Sequence, residues 1–242
     1  MKITMIHGQS HKGSTYHTAR QLAELLDGEI EEFFLPRDFG SFCTGCMACI
    51  RKGEVFCPHS KQLKPITDAM DWADVLILAS PVYVFHSTGA MKAFLDHHAY
   101  RWMMHRPEAK MFSKQAVCIT TAAGAGNRSA LKDLKDSLTF WGVSKIYCYG
   151  KIVAADNYAA VSEKKKQEIA ADLPKIAKKI LKNHGSVKPG LKTRILFSFF
   201  RRIQIKGVIE ADQKYWIEKG WTENKRPWKQ EREGEYQYEC SA

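Results

Sequence analysis

Residues 2–18 read KITMIHGQSHKGSTYHT, and the rest of the chain is organised around them. A β-branched and apolar run, residues 2–7, breaks at Gly8 into small and polar residues. Ala19, Leu22, Ala23 and Leu26 then recur at the spacing of one helix face. The reading is strand, tight loop, helix. In such a unit the loop amides and the positive end of the helix converge just beyond the strand, a geometry that suits a phosphate. Ser10, Ser14 and Thr15 add hydroxyls there and Lys12 adds a charge. The stretch has too few glycines for the dinucleotide fingerprint, and no Gly-Lys-Ser/Thr triplet opens its helix. One phosphate is therefore favoured over a pyrophosphate, and an ordinary Ser/Thr helix cap is the plain alternative.

Outward from this stretch, strand and helix patterns alternate. Residues 29–35 form a second strand stopped by Pro36, and DVLILAS, residues 74–80, is the unbroken apolar run of a strand buried on both faces. Residues 87–104 are expected as one helix with Met91, Phe94, Leu95 and Trp102 inward. Residues 115–121 form a fourth strand, followed by the small-residue loop 122–127. A helix through Leu131, Leu134, Leu138 and Trp141 ends at Gly142, and residues 145–153 are a fifth strand. Residues 162–184 are helical, with Pro174 expected to kink or divide them. Five strands alternating with helices make a doubly wound, mostly parallel α/β sheet. Ligands of such sheets sit beyond the carboxyl ends of the strands, where the loops beginning at Gly8, Pro81 and Ala122 would meet.

Three segments, GQSHKGSTYHT (8–18), ADVLILASPVYVFHSTGAMKAFLD (73–96) and TTAAGAGN (120–127), resemble in order and spacing the flavodoxin-like NAD(P)H-dependent FMN oxidoreductases, iron–sulfur flavoproteins included. The resemblance covers roughly residues 1–184. It implies a flavodoxin-like FMN-binding domain over residues 1–185 and an FMN oxidised and reduced with NAD(P)H. Ser10, Lys12, Ser14 and Thr15 would hold the phosphate. Pro81, Val82, Tyr83 and Val84 would run along the flavin ring, with Tyr83 the side chain to pack on it, and Thr121, Ala122, Ala123 and Gly124 would close over the other edge. The family often has Trp-Gly after the tyrosine and a second glycine in the third loop; this chain has Val84, Phe85 and Ala123 there. The physical requirements agree: FMN needs one phosphate site and apolar walls, and because the flavin carries the hydride chemistry, no side chain need act as a catalytic acid or base.

The chain has 7 cysteines, and Cys43, Cys46, Cys49 and Cys57 fall within one short segment, spaced Cys-x2-Cys-x2-Cys-x7-Cys-Pro. This run resembles ferredoxin ligand runs and the compact runs of iron–sulfur flavoproteins, which implies a [4Fe–4S] cluster. Four sulfurs also suit zinc, and free thiols or a loop disulfide are the metal-free readings. Cys118 and Cys148 lie in strands and are expected to be small core residues, and Cys240 to be inert. His59, His97 and His98 show no ligand-like i, i+4 pairing among themselves and are not expected to bind metal.

Of the 242 residues, 45% are hydrophobic and 26% charged, enough for a full core. No apolar run reaches a membrane span and no charged-then-apolar leader opens the chain, so a cytoplasmic protein is expected. The +11 net charge is spread over helical faces rather than gathered on one groove, which argues against nucleic acid. Residues 186–242 form a C-terminal helical extension and tail. After a 186–190 linker, residues 191–206 carry a stripe of Ile195, Phe199 and Ile203, broadened by Leu196 and Phe200, among Lys192, Arg194, Arg201, Arg202 and Lys206. This basic amphipathic helix is expected to dock on the core or in a homodimer interface in preference to a membrane surface. Residues 212–220 add a short helix, and residues 229–242 are expected to be loosely ordered. Two classes of function remain: a reductase passing electrons from NAD(P)H through FMN to a small-molecule or protein acceptor, which the basic charge and the tail favour over a simple carrier, and, as the alternative, an electron-transfer protein carrying FMN and a cluster.

Overall fold

The computed structural model describes residues 1–229; the expectations for residues 230–242, Cys240 among them, lie outside the described residues. Five strands, β1 (Lys2–His7), β2 (Glu29–Phe34), β3 (Val75–Ala79), β4 (Gln115–Ala122) and β5 (Lys145–Ile152), form one parallel sheet in the order β2-β1-β3-β4-β5. This is the flavodoxin-like doubly wound fold, and strand order reverses between β1 and β3. Strand residues alternate between two cores. On one face Ile3, Met5, Val75, Ile77, Val117 and Ile119 pack beneath α1 (Ser14–Leu25) and α6 (Glu163–Asn183). On the other Ile6, Leu76, Leu78, Ala116 and Cys118 pack beneath α3 (Ser60–Trp72), α4 (Gly89–His97) and α5 (Asn127–Phe140). The central strands β3 and β4 are buried throughout, as sheets covered on both faces require.

Several local expectations need correction. Residues 87–104 are not one helix: α4 ends at His97 and a 3-10 turn, Ala99–Arg101, follows. The chain bends there because Trp141 Nε1 donates to the His98 carbonyl and Arg101 turns inward to form a two-pronged ion pair with Asp71, at 2.7 and 2.6 Å. Pro174 does not divide α6, which runs unbroken through it. The short α2 (Ala48–Arg51) stands within the segment read only as a cysteine loop, and α3 follows it over residues whose sequence pattern carries no expectation.

The extension forms α7 (Leu191–Lys206) and α8 (Glu210–Glu218). The α7 face turned inward matches the expected stripe only in part: Phe200 is buried and Leu196 and Ile203 pack against it, but Ile195 and Phe199 are 59% and 56% exposed, and Thr193, Phe197 and Gln204 are buried in their place. Both faces of α7 are apolar enough to pack, and the choice falls to Phe197, which meets Trp216, Trp221 and Phe112 in a third, largely aromatic core. That core joins the extension to the β4 side of the sheet through Met103 and Phe112. Among the described residues no helix is long and apolar enough to cross a membrane.

Candidate functional site

Two pockets stand at opposite ends of α4. The first lies beyond the carboxyl ends of the strands. It is lined by the loop after β1 (Gln9, His11, Gly13), the first turn of α1 (Ser14, Thr15, Tyr16), the loop after β3 (Pro81, Val82, Tyr83), the end of β4 (Thr121, Ala122, Ala123) and a loop after β5 (Val153, Ala155, Asp156), with His7 and Ala79 at its base. Helix α1 starts with no side chain capping it, so its first amides are left for a ligand. Thr15 and Thr121 hydroxyls meet at 2.6 Å, tying the first turn of α1 to the end of β4. Close approach is enforced at Gly8, where a Cβ would stand 2.9 Å from both Ser80 Oγ and Thr88 Oγ1. Gly126, at φ +97°, lets the third loop lie against Val82 and Phe85, where a Cβ would be 2.6 Å from Val82 Cγ1. An uncapped helix end, apolar walls and few charges fit a ring-bearing monophosphate such as FMN.

Eight of the expected flavin-site residues share this pocket: Ser14, Thr15, Pro81, Val82, Tyr83, Thr121, Ala122 and Ala123. Ser10, Lys12, Val84 and Gly124 do not line it. The Ser10 hydroxyl donates instead to the Leu35 carbonyl at 3.2 Å, and the Lys12 ammonium lies over the Tyr16 ring. Val84 is 92% exposed in the left-handed region at φ +48°, and Gly124 is exposed. Sequence reasoning missed His7, Gln9, His11, Tyr16 and the whole loop after β5. His7 is buried, stacked on Phe34 and 3.4 Å from Glu32. The hydrogen bond from His7, aided by Arg20, holds the Glu32 carboxyl below its ordinary range against the opposing effect of burial.

The second pocket is lined by Cys43, Cys46, Cys49 and Cys57 together with Gly45, Met47, Ile50, His59, Asp96, His97 and Ala99. All four cysteines of the run thus reach one place. Burial, reinforced by the neighbouring sulfurs of Cys57, Cys43 and Cys46, pushes the Cys49 thiol up. That mutual opposition is what a cation or cluster on the four sulfurs would relieve. The loop folds this way through left-handed conformations at Gly45 (φ +67°) and Met47 (φ +59°) and an extended positive φ at Gly53 (+124°). Thr44-Gly45 and the α2 turn bring Cys46 and Cys49 round, and a 3-10 turn, Glu54–Phe56, delivers Cys57.

The histidines stand closer to this pocket than expected: ligand atoms of Cys57, His59 and His97 all lie within 4.8 Å of one another. His97 is nonetheless fully engaged. Its Nδ1 donates to the Ala93 carbonyl at 2.7 Å and its Nε2 accepts from His59 Nδ1 at 2.8 Å. Burial lowers its pKa, consistent with a neutral ring whose one lone pair is already used. His98, buried against Phe94, is pushed down to about 3 by desolvation and is a neutral core residue. Cys118 is buried as expected, but Cys148 is exposed on the edge strand, a correction to its reading as a core residue.

Helix α4 links the pockets. Its capping Thr88 donates to the Gly8 carbonyl at 2.6 Å, beside the first pocket, and its last residue, His97, lines the second. Nine residues of helix place these ends about 13 Å apart.

Comparison with known proteins agrees with this geometry. Residues 1–160 match the NADPH-dependent FMN reductase family. The chain belongs to that family. It is 26% identical over 196 residues to an iron-sulfur flavoprotein of Archaeoglobus fulgidus, an alignment covering 80% of this chain and 85% of the relative. An iron-sulfur flavoprotein of Methanosarcina thermophila is 25% identical over 163 residues, 65% of this chain and 78% of the relative. Among solved structures, an NADH:FMN oxidoreductase in its apo form superposes with a TM-score of 0.50 at 21% identity, covering 79% of this chain and 92% of that one, a likeness of fold. The FMN reductase family is one of flavin-dependent oxidoreductases, and this member carries both a flavodoxin-like pocket and a four-cysteine pocket.

Proposed function

We propose that this FMN reductase family member is an electron-transfer oxidoreductase that uses FMN in the first pocket and a [4Fe–4S] cluster on Cys43, Cys46, Cys49 and Cys57 in the second. The observation that carries the reading is the gathering of those four thiols into one pocket at the far end of the helix whose cap, Thr88, is bonded to Gly8 in the loop after β1. The similarity to iron-sulfur flavoproteins over most of the chain supports it. When bound, FMN takes electrons as a pair and releases them singly, and a cluster takes them one at a time.

The chain's own residues hold and shape. The open amides at Gly13, Ser14 and Thr15 and the hydroxyl of Ser14 would bind the phosphate. Pro81, Val82 and Tyr83 would form one wall for the ring, with Thr121, Ala122 and Ala123 on the other edge. Ser10, Lys12, Val84 and Gly124 are placed outside that lining, so any role of theirs would be at the rim. The family description favours a nicotinamide nucleotide as the hydride source, and this is the second reading: an NAD(P)H reductase whose cysteines hold no cluster. Either form would serve a small-molecule or protein acceptor, in a homodimer on the second reading.

The test is anaerobic purification with measurement of flavin, iron and sulfide, followed by addition of NADPH and of NADH. Four irons and four sulfides per chain beside one FMN is the expected result. Bound FMN with zinc or no metal, and full bleaching by a nicotinamide nucleotide, would overturn the cluster reading in favour of the plain reductase. Absence of FMN, with none taken up on addition, would overturn both.

A further inference from the structure

We infer that the C-terminal extension sets the shape of the cysteine pocket, and that it does so through two positioning residues, Arg106 and Asp212. The inference rests on the cluster reading of that pocket and adds to it the device that holds the ligand loop in place. The loop does little to hold itself. Between Cys43 and Cys57 only Ile50 is a buried large apolar residue, while Met47, Val55 and Phe56 are 45%, 72% and 58% exposed. With left-handed turns at Gly45 and Met47 and no core of its own, such a segment has much conformational freedom to lose on bringing four thiols together.

Arg106 removes that freedom. Its guanidinium is buried and faces the interval between the third and fourth cysteines. It donates to the Cys49 carbonyl, to the Ile50 carbonyl at 3.2 Å and to Glu54 Oε2 at 3.4 Å. A planar five-donor fork is suited to gripping several acceptors of one loop at fixed angles, which a lysine ammonium is not. The fork is in turn fixed by Asp212, a fully buried carboxylate in the first turn of α8. One oxygen of Asp212 accepts from Arg106 and the other lies 2.7 Å from His105 Nδ1. Helix α8 is itself fastened to the same stretch, since the Tyr215 hydroxyl donates to the Pro107 carbonyl at 2.7 Å and Trp216 Nε1 to the His105 carbonyl at 2.5 Å. The path runs from the aromatic core of the extension, through Asp212 and Arg106, to the backbone of a cluster ligand.

Supports of this outer kind orient ligands and tune the bound group, and their loss typically lowers metal affinity by about 10- to 100-fold. Charge gives the device a signature that mere stiffness lacks. The buried pair is neutral as it stands. Removing the carboxylate leaves the guanidinium offset only by the half-exposed Glu54 and makes adding an electron to the cluster easier. Removing the guanidinium leaves the carboxylate and makes it harder.

The test uses the full-length protein and the variants Asp212→Asn, Arg106→Gln and Arg106→Lys. Each is purified anaerobically and reconstituted with iron and sulfide, with FMN content measured alongside. Metal-free samples are titrated with Cd2+, read by thiolate charge-transfer absorption, which reports the gathering of sulfurs without any cluster. The expected result is that Asp212→Asn and Arg106→Gln bind Cd2+ about tenfold or more weakly than the parent and hold less iron per FMN, with FMN content unchanged. The cluster potential should rise in Asp212→Asn and fall in Arg106→Gln. Arg106→Lys, which restores the charge but not the fork, should recover the potential better than the Cd2+ affinity. Parent-like Cd2+ affinity in Asp212→Asn and Arg106→Gln, potentials moving in the same direction, or loss of FMN in step with metal would each overturn the inference. A parent that gathers Cd2+ on four thiolates but takes no iron and sulfide overturns the cluster reading alone, and the weakened Cd2+ binding of the variants then still supports the positioning role.

Discussion

The strand-end pocket and the cysteine pocket are built on opposite plans. The flavin pocket is made where four strands end, and its floor is sheet: His7, Ala79, Thr121 and Ala122 belong to β1, β3 and β4, whose pairing already fixes their positions. Its loops need only be small and close, and one buried hydroxyl contact between Thr15 and Thr121 ties the first turn of α1 to the end of β4. The cysteine pocket has no sheet beneath it. Its four sulfurs come from a segment between β2 and α3 that holds left-handed turns and few buried side chains, and it is closed by α4 from one side and by Arg106 from another. A site on strand ends inherits rigidity from the fold, whereas a site on a loop must have its rigidity supplied from elsewhere.

The largest effect that would break this comparison concerns the thiols themselves. Replacing Cys46 or Cys49 by serine is expected to remove essentially all iron while leaving FMN binding within about twofold, because the strand-end pocket shares no residue with the cysteine pocket. Metal analysis and flavin titration of the same samples decide it. Joint loss of flavin and iron would mean that the two sites fold as one.

The reverse experiment is expected to be milder. In Gly126→Ala the new methyl would stand 2.6 Å from Val82 Cγ1 and 2.8 Å from the Phe85 backbone, on a residue at φ +97°. The strain, about 1–3 kcal/mol, should push the 81–85 loop into the flavin pocket, weakening FMN by about tenfold or more at about 1.4 kcal/mol per decade. Iron content should not change. Isothermal titration with FMN, against iron analysis, reads both. Unaltered FMN affinity would show that this loop gives way freely and that the pocket is less rigid than its strand ends suggest.

The same contrast explains what could be read from the sequence. Strands β1, β3 and β4 announce themselves as apolar runs, and a parallel sheet then dictates which loops meet, so most of the flavin pocket follows from residues 2–18, 74–84 and 115–124. The spacing of the four cysteines was equally plain. What holds them was not, since Arg106 and Asp212 are separated by 106 positions and neither stands in a motif. Helix α3 escaped notice because Pro65 and two lysines interrupt the pattern of Leu63, Ile66, Ala69 and Met70. On α7 a period of 3.6 offered two apolar faces. Only the presence of Trp216 and Trp221 opposite Phe197 selects between them, which is a tertiary fact. The loop after β5 was invisible for a simpler reason: its contribution, Val153, Ala155 and Asp156, has no distinctive chemistry.

The smallest expected effect sharpens the distinction between thiols gathered for binding and a thiol that is merely nearby in composition. Cys118 and Cys148 are register partners on β4 and β5, yet one is buried and the other exposed. The hydrogen bond between them favours the Cys148 thiolate and, outweighing partial burial, lowers its pKa to about 7, while burial pushes Cys118 well up. A thiol titrating near 7 gains thiolate as pH rises through neutrality, so Cys148 should alkylate with a half-maximal rate near pH 7, where an ordinary cysteine near about 8.5 still reacts slowly. Cys118 should stay unreacted until the protein unfolds. With metal bound, iodoacetamide should label Cys148 ahead of every other described cysteine, and after metal removal Cys43, Cys46, Cys49 and Cys57 should join it. Mass spectrometry of tryptic peptides at pH 6, 7 and 8 reads this directly. Because Cys148 lines neither pocket, Cys148→Ser should leave iron and FMN content unchanged. Labelling of the four clustered cysteines at the same rate with and without metal would mean that their sulfurs lie together without binding anything, and the contrast between the two pockets would then be one of architecture alone.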